Sequence, residues 1–193
     1  MIDYTQILNS LKKFDYLGES RLDSGTILIG KAPHIAPMAW LHSIHHPLTD
    51  IQISELEQKI KMTVPTEYKD FLKTTNGLKV FSTTFCLDGL RDNYRRTVND
   101  VWQPFDIVVP NTLERPKNAE KHFFFIGGYD WDGSRLYINT ADNKAHLCER
   151  QDATSLYEWV DFPHMLESEI GRLIELFDRQ GRQIDEDKST LPI

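Results

Sequence analysis

Apolar residues recur at helical spacing in several stretches of the chain. Residues 3–17 set Tyr4, Ile7, Leu8, Leu11 and Phe14 on one face and end at Gly18, which predicts an amphipathic helix with a glycine stop. Residues 53–77 predict a helical pair. Ile53, Leu56 and Ile60 make the first stripe, and Ser54 with Glu57 reads as a capping box. Pro65 ends that helix and suits the first turn of the next, where a missing N–H costs nothing. Tyr68, Phe71, Leu72 and Thr75 share the second face, and Asn76-Gly77 stops it because both residues tolerate positive φ. Near the other end, Asp152 predicts the cap of a short helix carrying Leu156, Trp159 and Val160. Pro163 opens a longer helix with Leu166, Ile170, Leu173, Ile174 and Phe177 on one face. The tail from Gly181 is polar and is expected to fray.

Between these helices the pattern is that of strands. Residues 26–30 form a short apolar run, and residues 31–49, rich in His and Pro with little periodicity, read as a surface connection. Residues 79–87 are rich in Phe, Val and Thr, and Asp88-Gly89 is a turn signal. Residues 91–104 are polar and irregular, 105–109 read as a strand, and 110–121 as a charged loop. Residues 122–128 read as a buried strand ending in glycines. Residues 134–139 and 144–149 alternate about an Asp142-Asn143 turn. Closely spaced runs of this kind predict an antiparallel meander, and helices at both ends predict an α+β fold.

Composition places these elements in one domain of 193 residues, 40% hydrophobic. No apolar run approaches the ~20 residues that span a bilayer. The first residues lack a basic stretch followed by an apolar one, so the expectation is a cytoplasmic protein without a secretory leader and without a membrane partner. Cys86 and Cys148 sit in apolar runs, where a free thiol behaves as a small hydrophobe. Nothing supports a disulfide between them, and a reducing compartment is the simpler setting. The formal net charge of −7 disfavours direct contact with nucleic-acid phosphate and favours a basic partner.

Candidate chemistry is sparse. His34, His42, His45 and His46 fall in one segment, but no H-E-x-x-H pattern or cysteine pair accompanies them, so solvated loop histidines are expected rather than a metal site. Asp130-Trp131-Asp132-Gly133 resembles the start of a calcium loop. The twelfth position counted from Asp130 is Ala141, however, which lacks the bidentate carboxylate, and a hairpin turn is the better reading. Trp131 on that turn is either folded back onto the sheet, the preferred expectation, or offered to a partner. No nucleophile elbow, phosphate-binding loop or dinucleotide fingerprint is present. Glu55 with Glu57, and Asp185 with Glu186 and Asp187, read as solvated faces. Arg91, Arg95 and Arg96 near Tyr94 read as local surface charge or a contact to an acidic partner.

Three segments together resemble the SUKH superfamily, which includes fungal cell-wall assembly regulators and many bacterial immunity proteins. They are the helical pair (Leu56-Glu57, Val64-Pro65, Tyr68-Lys69-Asp70-Phe71-Leu72, Asn76-Gly77), the strand–turn–strand of residues 125–138, and residues 153–160, similar to the family's closing helix. The resemblance covers roughly residues 51–177, leaving an N-terminal extension of residues 1–50 and an insertion between 88 and 121 outside it. It implies an α+β fold with an antiparallel sheet packed by N-terminal and C-terminal helices, no enzyme and no cofactor. For many bacterial members it implies a protein that binds and neutralises a toxin, so a basic toxin domain is the candidate partner. The alternative is a regulatory scaffold. The family supplies no fixed functional residues. The partner-binding candidates are therefore chosen from exposed aromatics and their neighbours: Asp130, Trp131 and Asp132 on one turn, with Tyr94 and Trp102 in the insertion.

Overall fold

The structure, a computed structural model, describes residues 3–95, 97 and 100–193. Arg96, the third member of the basic cluster, lies outside the described residues. Among those described, nine strands pair in chain order as one antiparallel meander: β1 (Glu19–Arg21), β2 (Ile27–Lys31), β3 (Trp40–Ile44), β4 (Leu78–Val80), β5 (Phe85–Leu87), β6 (Phe123–Tyr129), β7 (Arg135–Asn139), β8 (Lys144–Cys148) and β9 (Ser155–Trp159). The helices are α1 (Tyr4–Asn9, continuing as a 3₁₀ run through Ser10–Leu17), α2 (Asp50–Ile60), α3 (Thr66–Leu72), α4 (Val108–Asn111) and α5 (Phe162–Leu176).

The main core lies where α1, α3 and α5 cover the sheet. Tyr4, Tyr68, Phe71 and Phe162 interlock there, with Tyr68 and Phe162 edge to face at 5.1 Å and Tyr68 reaching Phe124 of β6 at 6.0 Å. Side chains alternate across β6. Phe124 and Ile126 join this core, while Phe125 turns to the other face and packs with Tyr137, Cys148 and Ala153 in a smaller cluster. Both cysteines are buried and free. Strands β1–β3, which precede residue 50, are built into the same sheet, because β3 pairs with β4 (Ser43 with Lys79, Ile44 with Leu78).

Several local expectations are corrected. The His-rich segment is not a surface connection: it contains β3, buried on both faces, so no alternation marks it. His42 is buried between Phe14 and Phe81, at 5.2 and 4.8 Å, and its Nδ1 accepts from the Phe81 amide. His45 is buried against Thr26 and Thr75, whereas His34 and His46 are exposed. The cap of α2 forms earlier than predicted, with Thr49 and Gln52 as the capping box. Ser54 is already inside the helix and donates to the Asp50 carbonyl, while Glu57 accepts from the Val64 amide and pairs with Lys69 at 3.0 Å.

Residues 79–87 are a hairpin, turned at Phe81 and Ser82, which both adopt positive φ. Residues 105–109 do not form a strand. Asp106 makes an isolated bridge with Gly89 and then accepts from the Val108 amide, which starts the helical turn α4. Residues 155–159 are the edge strand β9, not a helix. Pairing with β8 places Trp159 opposite Ala145 and in the core, and Asp152 accepts from Thr154 in a turn. Asp161 caps α5, with Pro163 in its first turn. The polar tail is packed: the Ile184 amide donates to Leu176, and buried Thr190 accepts from Arg172 at 2.7 Å.

Candidate partner-binding cleft

The insertion between β5 and β6 packs Leu90 and Ile107 into the main core and sets α4 against α2 and β6. Its route is set where β5 ends. The Asp88 amide donates to Ile126 of β6, and the Asp88 carbonyl accepts from the buried Tyr68 hydroxyl at 2.5 Å. The chain then leaves the sheet and closes on itself, because Gly89 donates to Phe105 and Ile107 donates back to Gly89, each at 2.9 Å. Two asparagine side chains hold the excursion. Asn76 exchanges hydrogen bonds with the backbone of Leu90, and Asn111 of α4 does the same with Phe125 of β6 at 2.9 and 2.8 Å. Each carboxamide stands where a neighbouring strand would otherwise satisfy those backbone groups.

Between the insertion and the β6–β7 turn lies a cleft of about 430 Å³. The insertion supplies Asp88, Arg91, Tyr94, Phe105 and Asp106. The β6–β7 turn supplies Gly127, Gly128, Asp130, Ser134 and Arg135, and Arg150 closes the far side. Gly127 marks a bulge in the β6–β7 ladder and has positive φ; a Cβ there would collide with the Cys86 carbonyl. Bulges re-aim the chain, and this one carries β6 into the turn that forms one wall.

Charge in the cleft is balanced and mostly tied down. Arg135 and Arg150 converge on one Glu114 oxygen at 2.6 and 3.3 Å. Arg91 donates to the Asn93 carbonyl and lies 5.2 Å over the Tyr94 ring. Asp106 accepts from Tyr94, and Asp130 accepts from Thr83 at 2.9 Å. Asp88 differs. It is 5% exposed, and among the described residues no hydrogen bond reaches its carboxylate. Burial lifts its pKa to about 7 against the opposing pull of Arg135. The neighbouring Cys86 thiol is pushed far up by burial, which leaves it protonated and unreactive.

The structure brings Tyr94 and Asp130 to opposite walls of this cleft. Trp131 is 47% exposed at the tip of the adjoining turn, not folded onto the sheet as expected. Asp132 shapes that turn by accepting from the Ser134 amide at 2.8 Å. Trp102 lies apart: it is half-buried, and its carbonyl accepts from Thr26 next to β2. Asp88, Ser134 and Arg135 were not singled out in the sequence, where they read as a turn residue and the start of an alternating strand. Their convergence depends on the β5–β6–β7 register, and no local signal marks it.

Other chemistry finds little to work with. Among the described residues no three His, Cys, Asp or Glu side chains converge as a metal-ligand set, and no helix is long and apolar enough to cross a membrane. Ser155 Oγ lies 2.9 Å from His146 Nδ1, but that hydroxyl also donates to Tyr157, and the other ring nitrogen has no carboxylate to orient it.

Residues 47–168 match the model of the SMI1 / KNR4 family (SUKH-1). The matched span begins just before α2 and ends inside α5, so it contains the whole cleft and leaves β1–β3 outside. No curated protein gives a significant match to the chain.

Proposed function

The chain belongs to the SMI1 / KNR4 family (SUKH-1), and on that premise we propose that it is a non-catalytic protein-binding domain that neutralises a toxin by covering it. The observation that carries the reading is the open cleft flanked by exposed aromatics, with Tyr94 67% exposed on one wall and Trp131 on the neighbouring turn. Aromatic anchors beside a walled depression suit a protein partner, since such residues supply large contact area at low entropic cost. The net charge of −7 would speed encounter with a basic toxin domain, while the anchors slow dissociation. The cytoplasm, where a toxin must be intercepted before it acts, is the compartment this reading requires.

Mixing the purified chain with candidate basic toxin domains tests the reading. The expected result is a stable complex and loss of toxin activity. A toxin that stays fully active at saturating chain, with no complex on size exclusion, would remove it. The second reading is a regulatory scaffold of the cell-wall assembly type, with which membership of the family is equally consistent. Recovery of cell-wall assembly proteins in place of any toxin would favour it.

A further inference from the structure

Away from the cleft, α1 with its 3₁₀ continuation lies beside α5 and leaves a groove between them. The groove consists of two adjoining depressions, of about 630 and 460 Å³, that share Lys13 and Ile174. Ile7 and Ile170 floor the first part, and Phe14 and Phe177 the second. Tyr16, 60% exposed, closes the far end by donating its hydroxyl to the Arg179 carbonyl. Of the lining residues only Glu167 falls within residues 47–168, so the groove is built almost wholly from parts of the chain outside the family match.

Two observations bear on what the groove accommodates. Gly171 sits within α5 on the groove lining, and a Cβ there would meet nothing within 4 Å. Glycine inside a helix destabilises it relative to alanine, and no packing in the molecule requires it here. A bare backbone at this point suits the close approach of another chain. Charge is the second observation. Asp3, Glu167 and Glu175 stand along the first depression against Lys13 alone. The ion pairs of α5 and its cap are Arg172 with Glu169 and His164 with Asp161, so among the described residues neither Glu167 nor Glu175 has an ion-pair partner.

These features choose among occupants. An extended peptide needs a backbone ladder, which two helices do not offer, whereas a helix satisfies its own N–H and C=O groups. A third helix packs its ridges into the trough between two others, and the missing side chain at Gly171 admits such a ridge. From Glu167 to Phe177 the α5 wall runs roughly 15 Å, about three turns. A second copy of the chain is disfavoured, since each copy carries a net charge of −7 and the groove is itself acidic.

We propose that the groove between α1 and α5 is a docking surface for a basic amphipathic helix of a partner protein. The apolar stripe of that helix lies on Ile7, Gly171 and Ile174, and lysine or arginine side chains beside the stripe face Asp3, Glu167 and Glu175. The groove shares no residue with the cleft, so this surface stands or falls independently of the toxin-neutralising reading.

The test is fluorescence anisotropy of a labelled peptide titrated with the full chain. The peptide, about 18 residues of leucine and lysine with leucine at i, i+3, i+4 and i+7, is compared with a scramble of the same composition and with a version carrying glutamate for lysine. Saturable binding in the roughly micromolar range, about ten-fold or more tighter than either comparator and weakened by salt, is expected. Gly171→Gln sends a side chain into open groove space, so the melting temperature holds or rises while binding falls about ten-fold. Glu167→Gln combined with Glu175→Gln weakens binding and flattens its salt dependence. Both glutamates are exposed, so this double variant keeps the test valid if Gly171→Gln proves unstable. No saturable binding, equal binding of the scramble, or unchanged binding in these variants would overturn the proposal. Self-association of the free chain in sedimentation, abolished by Gly171→Gln, would also overturn it by making a second copy the occupant.

Discussion

Asn76 and Leu90 are paired as two strands would be: the Asn76 Oδ1 accepts from the Leu90 amide at 2.7 Å, and Nδ2 donates to the Leu90 carbonyl at 2.8 Å. Asn76-Gly77 therefore does more than stop α3. Gly77, at φ 83°, turns the chain into β4, and Asn76 clamps the root of the insertion fourteen residues later. A Cβ on Gly89 would strike Asn76, so the clamp and the absence of a side chain at Gly89 belong together.

Replacing Asn76 by Ala removes both bonds and should cost about 1–2 kcal/mol, read as a lowered urea midpoint. Asn76→Asp keeps the acceptor but sets a carboxylate against the Leu90 carbonyl, so it should be no better than Ala. Hydrogen exchange at the Leu90 amide should quicken in both variants. Unchanged protection there would show that the clamp does not hold the insertion.

Tyr68→Phe tests the adjoining contact. The Tyr68 hydroxyl is fully buried and sits 2.5 Å from the Asp88 carbonyl and 3.0 Å from that of Ile126. The ring remains packed in the variant, so only the hydroxyl is lost, and a destabilisation of about 1–2 kcal/mol is expected in denaturant unfolding. A neutral effect would mean that another donor takes over the Asp88 carbonyl, since Ile126 keeps the Asp88 amide.

Gly127→Ala should be severe, by roughly 3 kcal/mol or more, since the new methyl meets the Cys86 carbonyl and positive φ strains any L side chain. By contrast, Gly171→Ala on α5 meets nothing within 4 Å and should be neutral or slightly stabilising. The pair, compared by thermal melting, separates bulge strain from general sensitivity to alanine.

Stability should vary with pH through His42, His45 and Asp88, all buried. Burial lowers both imidazoles to about 3, so the unfolded chain takes up their protons first, and stability falls as pH drops below about 6.5. Asp88 opposes this. Its raised pKa, about 7, means the folded state holds a proton that the unfolded state releases above 3.8, so its contribution is present at low pH and is lost as pH rises toward 7. Arg135, Asp106 and Lys79 are the charges that act on it. Asp88→Asn should therefore steepen the acid-side loss between pH 4 and 6.5 by about 1.4 kcal/mol per unit, measured by urea unfolding across that range. An unchanged slope would contradict the buried, donor-free environment of this carboxyl.

Trp131→Ala should leave the melting temperature unchanged, because the ring is 47% exposed, yet weaken partner binding by ten-fold or more. Trp102→Ala should do the reverse: the residue is half-buried and lies outside the cleft, so it affects stability more than affinity. Titration calorimetry with the toxin domain, alongside melting, distinguishes the two.

The amphipathic stripes of α1, α3 and α5, the glycine and proline punctuation around them, and strands β6–β8 were all legible in the sequence, because each depends on local periodicity and turn chemistry. Membership of the SUKH superfamily was legible from the helical pair and the β6–β7 segment, although residues 153–160, likened to the family's closing helix, form strand β9. What failed locally was decided by pairing at a distance. Burial on both faces hid β3, and Leu156 and Val160 mimicked a helix in what β8 draws out as an edge strand. The cleft is the extreme case. Asp88, Ser134 and Arg135 come together only because β5, β6 and β7 pair in one register and two asparagines hold the insertion over them. Periodicity reports which face of an element is buried, whereas a site assembled from strand ends exists only once the sheet has formed.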